Sequence, residues 1–173
     1  MSCKCFSADI PSAKKSFCEK VELSKCKCRA RLTVCENKRK FQIDSDINLS
    51  QIDKIKVDGF LETSSLESKC DYLFIYRYNK KEDVYIFVEL KGTDIKHAIK
   101  QIGCSINMFY SNGFLKNKKV RGAIVFSTYP KNDGTYRKAR LTLEKELSGK
   151  IKDFELEQKS KTMTYNPISD TFC

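Results

Sequence analysis

Residues 69–92 read KCDYLFIYRYNKKEDVYIFVELKG, two runs of aromatic and β-branched side chains joined by the polar turn NKKED. Such runs form adjacent strands of one sheet. Yet the pair carries Asp71, Glu89 and Lys91, in segments where charge is costly to bury. Side chains alternate across a strand, so Tyr85, Phe87, Glu89 and Lys91 share one face, while Val84, Ile86, Val88 and Leu90 share the other. The second strand is therefore apolar along its length and ionic only at its C-terminal end, the end at which open α/β sheets bind ligands. If NKKED turns the chain back antiparallel, Asp71 at the start of one strand meets Glu89 at the end of the next. Two carboxylates that close repel each other unless a cation lies between them. Mg2+ is commonly held by one or two carboxylates together with waters and phosphate oxygens. A neighbouring ammonium such as that of Lys91 can orient a water or offset charge in a phosphoryl transition state.

The flanking sequence supplies the rest of an α/β unit. IDKIKVDGFLE, from residue 52, is predicted as a strand that precedes the quoted pair. Ile95, Ala98, Ile99, Ile102, Ile106 and Phe109 recur at helical spacing, with Thr93 or Asp94 as N-cap. KVRGAIVFSTY then reads as a buried strand, parallel to the preceding one because a helix makes the crossover. GTYRKARLTLEKELSG is predicted as a second helix, packing through Tyr136, Ala139, Leu143 and Leu147 and ending with Gly149 as the C′ residue. A last strand is expected in IKDFELEQ.

Asp71, a turn, Glu89-Leu90-Lys91 on the next strand and a helix bearing Gln101 together resemble the PD-(D/E)xK nuclease superfamily, over roughly residues 52–128. The resemblance implies a restriction-endonuclease-like fold, a mixed central β-sheet flanked by α-helices in a single domain, with residues 52–158 as catalytic core. It also implies that Asp71 and Glu89 hold Mg2+ or Mn2+, with the main-chain carbonyl of Leu90 as a further ligand. Lys91 would assist the attacking water, and Gln101 would lie near the site. Cys70 stands where the family often has proline, and Glu19, Glu22 and Glu62 are candidates for its upstream helical glutamate. The implied activity is endonucleolytic hydrolysis of DNA. The alternative is a non-catalytic nucleic-acid-binding or regulatory module that keeps the fold.

Composition agrees with that class. The chain has 173 residues, is 40% hydrophobic and carries a formal charge of +11, which fits one globular domain attracted to polyanions. KCKCRARL, KNKKVR and YRKAR are candidate phosphate-facing runs, and the reading favours DNA over RNA. Duplex cutting by a single-site chain further suggests a homodimer. With one histidine, His97, expected on an exposed helix face, a Ser-His-Asp mechanism is disfavoured, and the absence of a GxxxxGKS loop argues against ATP-driven chemistry.

The basic, cysteine-rich residues 1–40 read as an appendage. Cys18, Cys26, Cys28 and Cys35 lack the paired CxxC spacing of a zinc site, so thiols are expected in preference to Zn2+. Cys70 and Cys104 are expected in the core. No apolar run approaches the ~20 residues needed to span a bilayer, and no secretory signal is evident, so no membrane partner and a cytoplasmic location are expected.

Overall fold

A computed structural model describes residues 16–26, 32–44, 48–59, 61, 68–78, 82–128 and 134–173. In chain order the first elements are α1 (Phe17–Leu23), β1 (Lys25–Cys26), β2 (Thr33–Glu36), β3 (Arg39–Ile43) and β4 (Ile52–Lys56). The quoted pair follows as β5 (Tyr72–Tyr78) and β6 (Glu82–Lys91), then α2 (Ile95–Ser111), β7 (Lys119–Phe126) and α3 (Thr135–Ser148). The chain closes with β8 (Asp153–Ser160), β9 (Thr162–Asn166) and β10 (Thr171–Phe172).

A six-stranded sheet of order β1-β4-β5-β6-β7-β8 forms the centre. Its first strands are antiparallel, whereas β6, β7 and β8 run parallel, as helical crossovers require. The alternation along β6 sorts its two faces as the sequence suggests. Tyr85 and Phe87 enter a core with α1, α2 and α3, while Val84, Ile86, Val88 and Leu90 enter a second core on the opposite face. Asp94 caps α2 by accepting the His97 N–H at 2.9 Å. Gly103 lets α3 approach α2, since a Cβ there would stand 2.8 Å from Leu143 Cδ1. Gly149 occupies the C-cap of α3 at φ −89°, so the left-handed C′ turn expected from it does not form.

The second core departs from the expected plan. Helices cover only one face; the other is covered by a four-stranded mixed sheet of order β10-β9-β3-β2, giving one α/β domain with three layers. In it, β3 pairs parallel with β9 and packs Phe41 and Ile43 against Phe74 and Ile86 of the central sheet. The described residues between 16 and 40 are correspondingly not set apart as an appendage. They supply α1 and β1 to one core and one sheet, and β2 and the start of β3 to the other. Among the described residues, no helix is long and apolar enough to cross a membrane.

The basic runs divide. At the N-terminal end of β7, Lys118 pairs with Asp83, Lys119 lies near Glu82 and Asp170, and Arg121 is held by Asp153, Glu155 and Asp170. KNKKVR is thus largely neutralised, at the far end of the sheet from Lys91, and does not offer an open phosphate-binding face. In YRKAR, Arg140 pairs with Glu144, while Arg137 and Lys138 are exposed. Most of KCKCRARL, including Cys28, lies outside the described residues, as do Cys3, Cys5 and Glu62.

Candidate active site

The antiparallel register pairs Tyr72 with Val88, which brings Asp71, one residue before β5, level with Glu89. Backbone and carboxylates interlock there. Asp71 N–H donates to Glu89 Oε2 at 3.2 Å, and Leu90 N–H donates to Asp71 Oδ2 at 2.7 Å. Glu89 is only 2% exposed. Lys91 Nζ lies 3.8 Å from Glu89 Oε1 and donates to Gln101 Oε1 at 2.9 Å. Gln101 in turn donates through Nε2 to the Lys69 carbonyl at 2.8 Å. One helical turn further on, Ser105 Oγ accepts the buried Cys70 N–H at 2.9 Å. Gln101 and Ser105 share a face of α2 by their four-residue spacing. That face fixes the entry to β5 and aims Lys91, so Asp71, Glu89, Lys91 and Gln101 meet at one strand end.

Burial makes the pair resist ionisation. The Asp71 carboxyl is pushed up to about 6, mainly by desolvation, opposed by the Leu90 N–H and reinforced by the charges of Glu36 and Asp58. Glu89 is pushed up to about 8, first by desolvation and then by the charge of Asp71, with Lys91 opposing. Asp71 ionises first, and its charge then discourages Glu89 from following. Burial likewise raises the Cys70 thiol, which keeps it protonated and unreactive.

The oxygen-rich donor set suits a hard divalent cation. Neither carboxylate is bound by a close salt bridge, and Asp71 Oδ1 has no hydrogen-bond partner among the described residues. No three His, Cys, Asp or Glu side chains converge on a metal position among those residues. A cation here would therefore rely on the two carboxylates, a main-chain carbonyl and waters, a set that Mg2+ accepts. Leu90 meets Asp71 through its N–H, and its side chain is buried in the core beneath the second sheet.

Other expected residues are placed elsewhere. Glu19 closes a capping box with Ser16, and Glu22 pairs with Lys25. The upstream acids whose charge reaches the pair are instead Asp58, just after β4, and Glu36, at the end of β2. His97 is exposed, its Nε2 3.5 Å from Ser68 Oγ. Cys104 is half-buried and Cys70 fully buried. Cys18, Cys26 and Cys35 lie on α1, β1 and β2, and they join no metal-binding group among the described residues. Ser105 was missed because a serine within an apolar helical face carries no periodic signal; Asp58 and Glu36 were missed because only tertiary packing brings them near. No protein-family model, curated protein or solved structure matches the chain.

Proposed function

We propose that the chain is a metal-dependent nuclease of the PD-(D/E)xK type that hydrolyses phosphodiester bonds of DNA. The observation that carries this is the meeting of buried Glu89 with Asp71, Lys91 and Gln101 at the C-terminal end of β6. Asp71 and Glu89 would hold Mg2+ or Mn2+, with the Leu90 carbonyl and waters completing the shell. The ion supplies Lewis acidity toward a phosphoryl oxygen and toward a bound water. Lys91, steadied by Gln101 Oε1 and Glu89, presents N–H donors to the attacking water and to negative charge developing at phosphorus. Burial excludes bulk water from Glu89 and strengthens each of these interactions. The formal charge of +11 draws a polyanionic substrate to the surface. Cutting both strands of a duplex would use two copies about a twofold axis, which light scattering with and without duplex in Ca2+ would reveal.

Incubating the purified chain with plasmid, linear duplex and single-stranded DNA in Mg2+ or Mn2+ tests the activity. Cutting that stops in chelator and in Glu89→Gln is expected; cutting that persists in either refutes the mechanism. The second reading, a non-catalytic nucleic-acid-binding module, draws on the lack of a three-ligand acidic cluster among the described residues. It expects DNA binding with no cutting under any of these conditions.

A further inference from the structure

Among the described residues, two arginines are nearly sealed in the fold, and their partners differ sharply. Arg121, 3% exposed, is surrounded by the carboxylates of Asp153, Glu155 and Asp170. Arg39, 6% exposed at the start of β3, donates through Nε to the Glu36 carbonyl at 3.2 Å. Among the described residues, its two Nη groups have neither a hydrogen bond nor a carboxylate within salt-bridge distance. Buried guanidinium groups are ordinarily paired, because an uncompensated charge is costly to desolvate. Nor are these nitrogens shut away: the sealed side-chain atoms without partners are Tyr136 Oη and Gln158 Oε1, among the described residues. The Nη groups are therefore not fully sealed, and among the described residues no carboxylate lies within salt-bridge distance of them.

That fork reaches the same strand end as the candidate active site from the face covered by the second sheet, opposite the face that carries Lys91. Arg39 Nη1 is 3.7 Å from where a Cβ on Gly92 would stand, and Gly92 directly follows Lys91. Backbone bonds set this position across the two sheets. Lys40 N–H donates to the Lys161 carbonyl at 2.8 Å, Lys161 N–H to the Phe126 carbonyl at 2.8 Å, and Ser127 N–H to the Gly92 carbonyl at 3.0 Å. The β2–β3 turn reaches the same region, since the charge of Glu36 acts on Asp71. We propose that Arg39 is a substrate-binding residue whose Nη groups grip a non-bridging oxygen of a nucleic-acid phosphate at the C-terminal end of β6. The proposal rests on the nuclease reading of Asp71, Glu89 and Lys91. A planar guanidinium matches the phosphate geometry in a way that a lysine ammonium cannot.

Fluorescence anisotropy with a fluorescein-labelled short DNA duplex, in Ca2+ and over a series of salt concentrations, tests this on wild type, Arg39→Met and Arg39→Lys. Arg39→Met keeps the apolar stem and removes the charge; thermal melting checks its fold. It is expected to bind about tenfold more weakly, with a log–log salt slope shallower by about 0.9. Arg39→Lys should bind with intermediate affinity and keep the slope. Wild-type affinity and slope in folded Arg39→Met, or no duplex binding by the wild type, overturns the proposal. Should Arg39→Met fail to fold, wild-type affinity in Arg39→Lys overturns it. Plasmid cutting by the same samples separates the two readings. Arg39-dependent binding without cutting sinks the nuclease assignment and leaves the phosphate grip standing. Cutting with unchanged KM and kcat in the folded Arg39 variants sinks the grip and leaves the nuclease.

Discussion

Glu89 is 2% exposed and its nearest cation, Lys91 Nζ, is 3.8 Å away, so the protein alone serves its ionised form poorly. That has a signed consequence for pH. Unfolded carboxylates titrate near about 4, whereas burial pushes Asp71 up to about 6 and Glu89 up to about 8. Between those limits the folded chain binds more protons than the unfolded one. In chelator, their contribution to stability is complete below the unfolded values and is lost as pH rises through the folded ones. Urea midpoints in EDTA should accordingly be lower at about pH 8 than at about pH 5, with much of the difference removed in Glu89→Gln. A difference unaltered in Glu89→Gln would show that Glu89 does not titrate this way. On the proposed function Mn2+ would take the ionised pair, so its affinity should rise over the same window with release of protons. Lys91, by contrast, is 27% exposed at its side chain and can be truncated without opening the core. Lys91→Ala should keep its melting temperature and lose about 10²-fold in cutting rate; an unchanged rate would remove its catalytic role.

The entry to β5 depends on α2 as much as on its own pairing. Ser105 Oγ is the acceptor for the buried Cys70 N–H, one residue before Asp71. Ser105→Ala orphans that donor and should cost about 1–3 kcal/mol in urea denaturation, with faster hydrogen exchange at the Cys70 amide. No change in either would mean that the bond does not position the site. At this scale much of the fold was legible. The period-two faces of β6, the helical repeat of α2 and the parallel placement of β7 all follow from local pattern, and with them the approach of Asp71 to Glu89. The second sheet was not. Its strands are short, β3 alternates Phe41 and Ile43 with polar residues inside a strongly basic segment, and its partner β9 lies far along the chain. The β2–β3 turn places Asn37 and Lys38 in left-handed conformations at φ 45° and 64°, of which only Asn37 is a residue type that signals such a turn. Arg39 could not be located without that pairing, and so neither could its approach to Gly92.

Across the whole molecule, charge is divided between the two ends of the central sheet. At the N-terminal end of β7, the Arg121 guanidinium, Asp153 and Asp170 tie the β9–β10 turn to β7 and β8 and neutralise one another. At the C-terminal end of β6, the two carboxylates lack a close salt bridge, and Arg39 lacks a carboxylate within salt-bridge distance among the described residues. Charge is largely paired at one end and left without close partners at the other, where the proposed function would place its ligand. The central claim is that Asp71 and Glu89 share one divalent cation, and calorimetric titration of Mn2+ into the metal-free protein near pH 8 tests it most directly. A single site whose heat disappears in both Asp71→Asn and Glu89→Gln is the expected result. No binding by the wild type, or equal binding by both variants, would contradict it.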